Sequence, residues 1–357
     1  MRLPWLNTEV ETFALDIGTG SAKVVQLSAT PTGYRLERFG AKSFEPDSIV
    51  EGSIVDATGV GLVIKELLQE QRITAKQVVL SVSGHSVIAK KIVLPAMTEA
   101  ELETSIRFEA QTHVPFDVNE VEMDFHILNS IGATGGQEQI EVMLAAVKKE
   151  KLQEYLSIVR EIGLVPVVVD IDAFALENMY ALNYEIREGE VVALVDIGAS
   201  VVNINIVRDG VSLFTRDVSI GGKRYTESIQ SDLHVSFEEA ERAKKGEQVP
   251  GIDPTSVSAL ITSMNAEVGS EVLRSFDYFK GATSLEEIHQ IILSGGASKT
   301  PGLLEHLTER LGQSVQLANP FEKLQIDPKA FDLDYLKAMA PIAAVAVGLG
   351  TRREDDR

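Results

Sequence analysis

Two segments of the chain each combine an aspartate at a strand end with a glycine turn that could hold a phosphate group. They run from Phe13 to Leu27 and from Val192 to Val207, so that Asp16 corresponds to Asp196. Glycine lets the backbone approach an anion, successive N–H groups form a positive concavity, and the aspartate can hold Mg²⁺ through water. One such turn alone is typical of a β-hairpin corner. Two copies about 180 residues apart indicate duplicated halves whose turns could bind one polyphosphate from both sides.

Two other glycine-rich interpretations are excluded by single residues. Lys23 stands where a dinucleotide-binding fingerprint needs its third glycine. In the segment Ser294 to Gly302, Ser298 stands where a Walker loop needs the glycine before its lysine.

The composition narrows the class of protein. The 357 residues suffice for two domains, and the absence of cysteine excludes disulfides and thiolate chemistry. The six histidines show no paired metal-ligand spacing, and a net charge of −20 argues against nucleic acid and an anionic membrane surface as direct partners. No run approaches the ~18 apolar residues of a membrane span, and the start lacks a signal peptide's apolar centre. We therefore expect a cytoplasmic protein that reaches a membrane only through a partner.

The elements around the first turn alternate between strand and helix. Gly59 to Gln71 has the periodicity of an amphipathic helix, and Lys76 to Gly84 that of a buried strand. Leu164 to Leu176 returns to a buried strand that ends in acids and continues as a helix.

From about Val87 the pattern changes to that of a small α+β insertion. A strand ends at Pro95, and Thr98 with Glu101 forms a capping box for a helix that runs to about His113. The remaining predicted elements are two strands, residues 121–128 and 139–147, around the glycine-rich turn Gly132 to Gly136, and a helix from Lys149 to Ile162.

The second half opens at Val191. It contains predicted helices from Ser236 to Lys245 and from Ser256 to Lys280. A strand, a glycine turn and a helix follow, and Pro301 suits the first position of that helix.

The chain resembles the actin-like nucleotide-binding superfamily over nearly its whole length. The segments Ile106 to Leu128 and Asn319 to Gly350 narrow the resemblance to the PilM family of type IV pilus assembly proteins, relatives of the FtsA cell-division proteins. The resemblance implies an α/β, actin-like two-domain ATPase fold, with duplicated ribonuclease H-like halves, a 1C-type α+β insertion and ATP in the cleft between the halves.

On this resemblance the chain divides into subdomains. They are 1A (residues 1–86 and 164–190), the inserted 1C (87–163), 2A (191–225 and 290–350) and 2B (226–289), with a polar tail at 351–357.

The resemblance also assigns nucleotide-binding roles. Lys23 is placed to reach a β-phosphate, Asp16 and Asp196 to hold Mg²⁺ through water, and Glu241 with Lys244 to contact ribose and adenine. A solvated strand lysine and a plain surface ion pair are the structural alternatives. The nucleotide-binding set is Asp16, Gly18, Thr19, Gly20, Ser21, Lys23, Asp196, Gly198, Ala199, Ser200, Gly221, Gly222, Glu241, Lys244, Gly295, Gly296 and Ser298.

One position departs from the superfamily. The residue that orients the attacking water is usually Glu or Gln, whereas this segment offers only Asp170 or Asp172. The shorter side chain shifts the carboxylate by more than about 1 Å, and a misplacement of that size can cost ~10²-fold in rate. We expect at most a weak ATPase, at or below about 1 s⁻¹.

The resemblance implies a partner as well. Members of the family bind the N-terminal cytoplasmic tail of a PilN-like inner-membrane protein and so link the pilus alignment complex to the motor ATPases. The implied groove lies between the insertion and the first half, where we place Arg107, Glu109 and Phe116. The apolar stripe on the same helix is expected to form the core of the insertion; it consists of Leu102, Ile106, Ala110 and Val114.

Two other functions stay open at this point. A small-molecule kinase of the same superfamily would need a base for an acceptor hydroxyl and a sugar pocket, and no segment can be assigned to either. A scaffold without nucleotide, like the cytoplasmic domain of the secretion protein GspL, would not need the two Asp-x-Gly turns and Lys23 that this chain keeps.

Overall fold

The computed structural model describes residues 11–134, 137–283, 287–354 and 356 of the chain. The strands are β1 (Thr12–Ile17), β2 (Ser21–Thr30), β3 (Gly33–Ser43), β4 (Ile49–Val50), β5 (Ser53–Ile54), β6 (Gln77–Val82), β7 (Val87–Pro95), β8 (Val121–Thr134), β9 (Gln137–Lys148), β10 (Val165–Ile171), β11 (Val191–Ile197), β12 (Val202–Arg208), β13 (Val211–Val218), β14 (Gln290–Ser294) and β15 (Ser314–Leu317). The helices are α1 (Ala57–Glu70), α2 (Glu99–Glu109), α3 (Lys149–Glu161), α4 (Asp172–Asn183), α5 (Gly222–Leu233), α6 (Phe237–Lys244), α7 (Pro254–Ala282), α8 (Leu303–Leu311), α9 (Leu333–Met339) and α10 (Ala344–Gly350).

Two five-stranded sheets have the same topology. The first has the order β10-β6-β1-β2-β3 and the second, written in the matching direction, β15-β14-β11-β12-β13. In each sheet the central strand is antiparallel to the strand that follows it and parallel to a later one. The predicted duplication of the chain is therefore confirmed.

The two glycine turns are also equivalent in their hydrogen bonds. The N–H of Gly18 donates to the carbonyl of Ser21 at 3.1 Å, and that of Gly198 to the carbonyl of Val201 at 2.9 Å. Each turn joins the central strand of its sheet to the next, so the same local geometry occurs once in each half.

Apolar cores lie on both faces of each sheet because the central strands are largely apolar ahead of the aspartate near their end. The interior strand β11 is buried along its whole length. Three clusters result: one under α1 and α3 in the first half, one under α5 and α7 in the second, and one between the halves around α4 and α10.

The insertion is a three-stranded sheet in the order β7-β9-β8, covered by α2. Thr98 and Glu101 form the predicted capping box at the start of α2. The predicted stripe from Leu102 to Val114 is buried against this sheet and is confirmed as the core of the insertion. The predicted turn at Gly132 to Gly136 falls in part on residues 135 and 136, outside the described residues.

Helix α3 packs with the first half. Its residues Tyr155, Ile158 and Val159 are buried in one cluster with Phe13 and Leu15 of β1. Helix α3 therefore contributes to the core of the first half, and the boundary of the insertion at 163 stays a prediction.

Helix α10 packs on α4 backbone to backbone. A methyl group at Gly348 would lie 1.8 Å from the carbonyl oxygen of Ala175, so only glycine allows this approach. The segment Leu333–Gly350, which contains α9 and α10, is long and apolar enough by length and composition to cross a membrane. The expectation that no run approaches this length was wrong; 61% of the segment is buried in the fold, as in the core helix of a folded domain.

The start of α8 differs from the prediction. The helix begins at Leu303 after Gly302, which adopts φ 74°. Pro301 therefore precedes the helix by two positions, and the left-handed turn at Gly302 explains the difference.

Candidate functional site

The first glycine turn holds a buried ion pair. The Lys23 Nζ atom lies 3.1 Å from Asp16 Oδ2, and the lysine side chain is only 13% exposed. A methyl group at Gly18 would lie 2.9 Å from that Nζ, so the glycine leaves room for the ammonium group. Burial alone would lower the pKa of Lys23, but the carboxylate of Asp16 outweighs it and raises the pKa. Lys23 is therefore a buried cation at the turn rather than a solvated strand lysine.

The second turn carries Asp196, which accepts a hydrogen bond from Ser294 Oγ at 2.7 Å. Burial raises the pKa of Asp196 to about 6, against the opposing effects of Ser294 and of the charge of Lys23. Lys23 and Asp196 come from different halves, so the electrostatic interaction between them places both turns at one site.

The two turns face each other directly. A methyl group at Gly20 would lie 3.3 Å from Cβ of Ala199. Thr19, Ser21 and Ser200 are partly exposed in the same turns, where their hydroxyl groups can contact an anion. The arrangement is the one expected for two loops that enclose a polyphosphate.

Asp172 adds a third carboxylate to this cluster. It begins α4 and accepts a hydrogen bond from Ser81 Oγ at 2.5 Å. Burial, together with the charge of Asp16, raises the pKa of Asp172 to about 7. Lys23 interacts electrostatically with all three carboxylates, and the remaining excess of negative charge favours a further cation at the site.

Asp170 lies in a different environment. Its Oδ2 is 3.0 Å from Arg352 Nε, and its Oδ1 accepts the N–H of Ile171. Burial raises the pKa of Asp170 although Arg352 opposes that shift. Of the two candidates for orienting water, Asp172 is the one whose charge interacts with Asp16 and Asp196.

The residues present suit Mg²⁺ only together with other ligands. Among the described residues no group of three or more His, Cys, Asp or Glu is placed to hold a metal by itself. Mg²⁺ in proteins commonly uses one or two carboxylates plus water and substrate phosphates. Asp16 and Asp196 match that pattern if a nucleotide supplies the remaining oxygens.

Beyond the second turn, two glycines pass against its backbone. A methyl group at Gly221 would lie 2.6 Å from the carbonyl oxygen of Ala199. The N–H of Gly222 donates to the carbonyl of Gly198 at 2.9 Å. Both contacts tie the start of α5 to the phosphate turn.

Lys244 and Glu241 lie against the start of α5, next to the second phosphate turn. Lys244 Nζ donates to the carbonyl of Gly222 at 3.1 Å, to Thr226 Oγ1 at 3.0 Å and to the Glu241 carboxylate. Burial lowers the pKa of Lys244, whereas Lys244 holds the pKa of Glu241 below its usual value even though burial opposes this. With side chains 13% and 23% exposed, the pair is not a plain surface ion pair.

The third predicted nucleotide-binding segment, Gly295 to Ser298, packs against the start of α5. A methyl group at Gly222 would lie 3.2 Å from Ala297 Cβ. Gly295 has φ 89°, and a methyl group there would lie 2.3 Å from the carbonyl oxygen of Ile197. Ser298 is buried and donates to the carbonyl of Gly295, whereas Gly296 faces open space. The three predicted segments thus meet at one end of the cleft.

A groove of about 240 Å³ lies where the insertion meets both halves. Its lining includes Ile88, Pro115 and Phe116 from the insertion and Arg216 and Asp217 from β13. Of the three residues predicted to bind the partner, Phe116 lines this groove. Neither of the other two predicted residues lines it: Arg107 donates to the carbonyl of Val118 at 2.9 Å and braces the insertion's own loop, and Glu109 lies elsewhere on α2.

The sequence as a whole matches the family described as type IV pilus assembly protein PilM, over residues 14–354. The chain belongs to the PilM family. A solved structure of a PilM-PilN type IV pilus biogenesis complex is 31% identical, with a TM-score of 0.85 over 98% of this chain and 99% of that one.

More distant relatives agree with this placement. The cell division protein FtsA of Bacillus subtilis is 23% identical over 86% of this chain and 78% of its own length. MreB5 of Spiroplasma citri, in a structure bound to AMPPNP, has a TM-score of 0.52 at 11% identity over 95% of both chains. The predicted actin-like fold is confirmed.

Some residues of this PilM-family site were missed from the sequence. Ser81 donates to Asp172, Ser294 donates to Asp196, and Thr226 accepts from Lys244. Ser81 and Ser294 lie near the ends of strands parallel to the central ones, which is the signal that could have revealed them. Thr226 offered no signal, because its role depends on the packing of α5 against α6.

Proposed function

We propose that this protein binds ATP with Mg²⁺ in the cleft between its halves and the N-terminal tail of a PilN-like inner-membrane protein in the groove beside the insertion. In this way it joins the pilus alignment complex to the motor ATPases at the cytoplasmic face of the inner membrane. The observation that carries the proposal is the likeness to the PilM-PilN complex over the whole chain, at a TM-score of 0.85.

The nucleotide assignment is supported by the facing turns. The backbone around Gly18 and Gly198 would surround the phosphates, with Lys23 at the β-phosphate and Asp16 and Asp196 holding Mg²⁺ through water. Burial, and to a smaller extent the charge of Asp16, raises the pKa values of Asp172 and Asp196, and a bound Mg²⁺ would favour their ionised forms. The relative MreB5 is bound to AMPPNP in one structure and to ADP in another.

Hydrolysis should be slow. Asp172 would have to orient the attacking water with a side chain shorter than the Glu or Gln usual in the superfamily, and Ser81 already binds one of its oxygens. A pKa of about 7 leaves a large fraction of this carboxyl protonated at neutral pH. The site thus suits nucleotide-dependent switching with little turnover.

The groove suits a peptide better than a small molecule. Its volume of about 240 Å³ is below the ~300 to 1,000 Å³ of typical small-molecule pockets, and it is lined by Ile88, Pro115 and Phe116 beside charged Arg216 and Asp217. An extended tail could place an apolar side chain in it. Basic residues on the tail would be attracted by the net charge of −20 and would associate more slowly at high salt.

Phe116→Ala tests the partner site, and Phe108→Ala is its matched control. Phe108 lies on the same insertion but is 72% exposed and does not line the groove. Binding of a fluorescent peptide from the tail of the PilN-like partner should weaken at least about tenfold in Phe116→Ala, as for a buried aromatic anchor, and stay unchanged in Phe108→Ala. Equal effects of both variants would show that the tail does not bind at this groove.

Calorimetry with ATP, with and without Mg²⁺, tests the nucleotide site. Asp196→Ala should lose the Mg²⁺-dependent part of the affinity while Phe116→Ala keeps it. Appearance of a phosphorylated small-molecule acceptor would favour a kinase, and no ATP binding at all would favour a scaffold.

A further inference from the structure

The loop of residues 44–56, which joins β3 to α1, is fixed to the phosphate site of the first half. Phe44 and Ile49 are buried in the core under α1. The N–H of Phe44 donates to the carbonyl of Gly20, in the first phosphate turn, at 3.1 Å. Farther along, the Lys151 ammonium donates to the carbonyl of Gly52. The 44–56 loop is thus a rigid extension of the phosphate turn.

The tip of this loop reaches the other half. The N–H of Ser48 donates to the carbonyl of Glu45, and Asp47 between them adopts φ 60°, in the left-handed region that Asp tolerates better than most residues. Asp47 Oδ1 lies 2.5 Å from Lys223 Nζ. The two residues are 176 positions apart in the chain.

Lys223 is equally fixed to the phosphate site of the second half. It directly follows Gly221 and Gly222 in the first turn of α5, and its own N–H donates to the carbonyl of Ala199 at 2.8 Å. Lys223 itself, and the 44–56 loop that carries Asp47, are therefore each attached by a backbone hydrogen bond to one of the two facing turns. Separation of Gly20 from Ala199 would break the ion pair as well.

We propose that Asp47 and Lys223 form a latch that holds the cleft closed over bound nucleotide and slows its release. The proposal rests on nucleotide binding between the two turns. Asp47 acts as a positioning residue, since it orients Lys223 and is itself an anion that a polyphosphate would repel.

Because Asp47 is negatively charged, the two explanations predict opposite changes in the rate of nucleotide dissociation. If Asp47 acted only through the local field, Asp47→Asn would remove a negative charge near an anionic ligand and slow dissociation. A latch predicts the opposite: dissociation about 1.5- to 5-fold faster, the range for a partly exposed ion pair. Glu70→Gln is the control because the pair of Lys42 with Glu70, at 2.6 Å and similar exposure, lies within the first half.

The measurement is the release of mant-ATP in Mg²⁺, followed by stopped flow after addition of excess ATP. Asp47→Asn should release it faster at low salt, Glu70→Gln should match the wild type, and the exchange Asp47→Lys with Lys223→Asp should restore slow release. At 1 M salt, which weakens solvent-exposed ion pairs such as this one, the wild type should approach Asp47→Asn. Release from Asp47→Asn at or below the wild-type rate would overturn the latch.

A covalent cross-link between positions 47 and 223 tests the latch separately from the proposed nucleotide site. The chain contains no cysteine, so Asp47→Cys with Lys223→Cys can be joined by a short bifunctional maleimide without background. Efficient joining before nucleotide is added is expected because the closed cleft brings the two positions together. Joining after loading should trap mant-ATP. Poor joining, or unhindered release after joining, refutes the latch, whereas absence of mant-ATP binding to the wild type refutes the proposed nucleotide site.

Discussion

The pH dependence of Mg²⁺-nucleotide binding should be set in large part by Asp196. This carboxyl has a pKa of about 6 in the unliganded protein, and it must be ionised to hold Mg²⁺. At pH 7.5 about 97% is ionised and at pH 5.0 about 9%. The Mg²⁺-dependent part of the affinity should therefore fall about tenfold between these pH values.

Stability should respond in the opposite direction. The pKa of Asp196 is higher in the folded protein than its ordinary value of 3.8, so the folded state binds the proton more tightly than the unfolded state. The destabilisation is fully present above about pH 7 and is relieved as the pH falls toward 4. From pH 7.5 to 5.0 this one group should add about 1 kcal/mol to the free energy of unfolding of the unliganded protein.

Calorimetry with AMPPNP, in Mg²⁺ and in EDTA, measures the first effect, and urea unfolding measures the second. The terminal phosphate titrates in the same range, as do other buried groups, so each quantity is compared with Asp196→Asn, in which the Ser294 hydroxyl can still bond the side chain. The variant should lack both pH-dependent contributions. If wild type and variant show the same pH profile, Asp196 does not hold the metal.

Two further comparisons test the interior of the site. Gly221→Ala should destabilise the protein by about 1–3 kcal/mol and weaken nucleotide binding, because its methyl group meets the Ala199 carbonyl. Gly296→Ala should leave stability unchanged and weaken only binding, because its methyl group would contact no protein atom and would lie where the nucleotide is proposed to bind. Urea unfolding measures stability and calorimetry measures binding, and a loss of stability in Gly296→Ala would contradict this. Asp172→Asn should reduce the rate of single-turnover ATP hydrolysis. Asp170→Asn should leave hydrolysis unchanged and lower stability by about 1–3 kcal/mol, because the partner of Asp170 is Arg352. The reverse outcome would show that Asp170 orients the attacking water.

The strongest predictions from sequence were those carried by local pattern. Helix α1, predicted at Gly59 to Gln71, lies at Ala57–Glu70, and the capping box predicted at Thr98 forms as expected. These features depend on hydrogen bonds and periodicity within a few residues, so the sequence alone specifies them. The duplicated turns belong to the same class, since both use one short strand-turn-strand motif.

Other features depend on packing between distant segments. The periodicity of α3 indicated a helix but not that Tyr155 is buried beside β1. The spacing of Asp170 and Asp172 could not decide which faces the cleft, because Arg352 of the C-terminal segment pairs with Asp170. The groove likewise depends on where β13 lies against the insertion.

The sequence by itself determined the duplicated hairpins, the buried strands that carry them and the family to which they belong, because these follow from local residue pattern. Only the tertiary structure decided that Gly20 meets Ala199, that Lys23 is buried beside Asp16, and that Asp47 reaches Lys223. The physical reason is that burial and electrostatic interaction depend on distance in space, and some groups that meet at this site, such as Gly20 with Ala199 and Asp47 with Lys223, come from opposite halves of the chain.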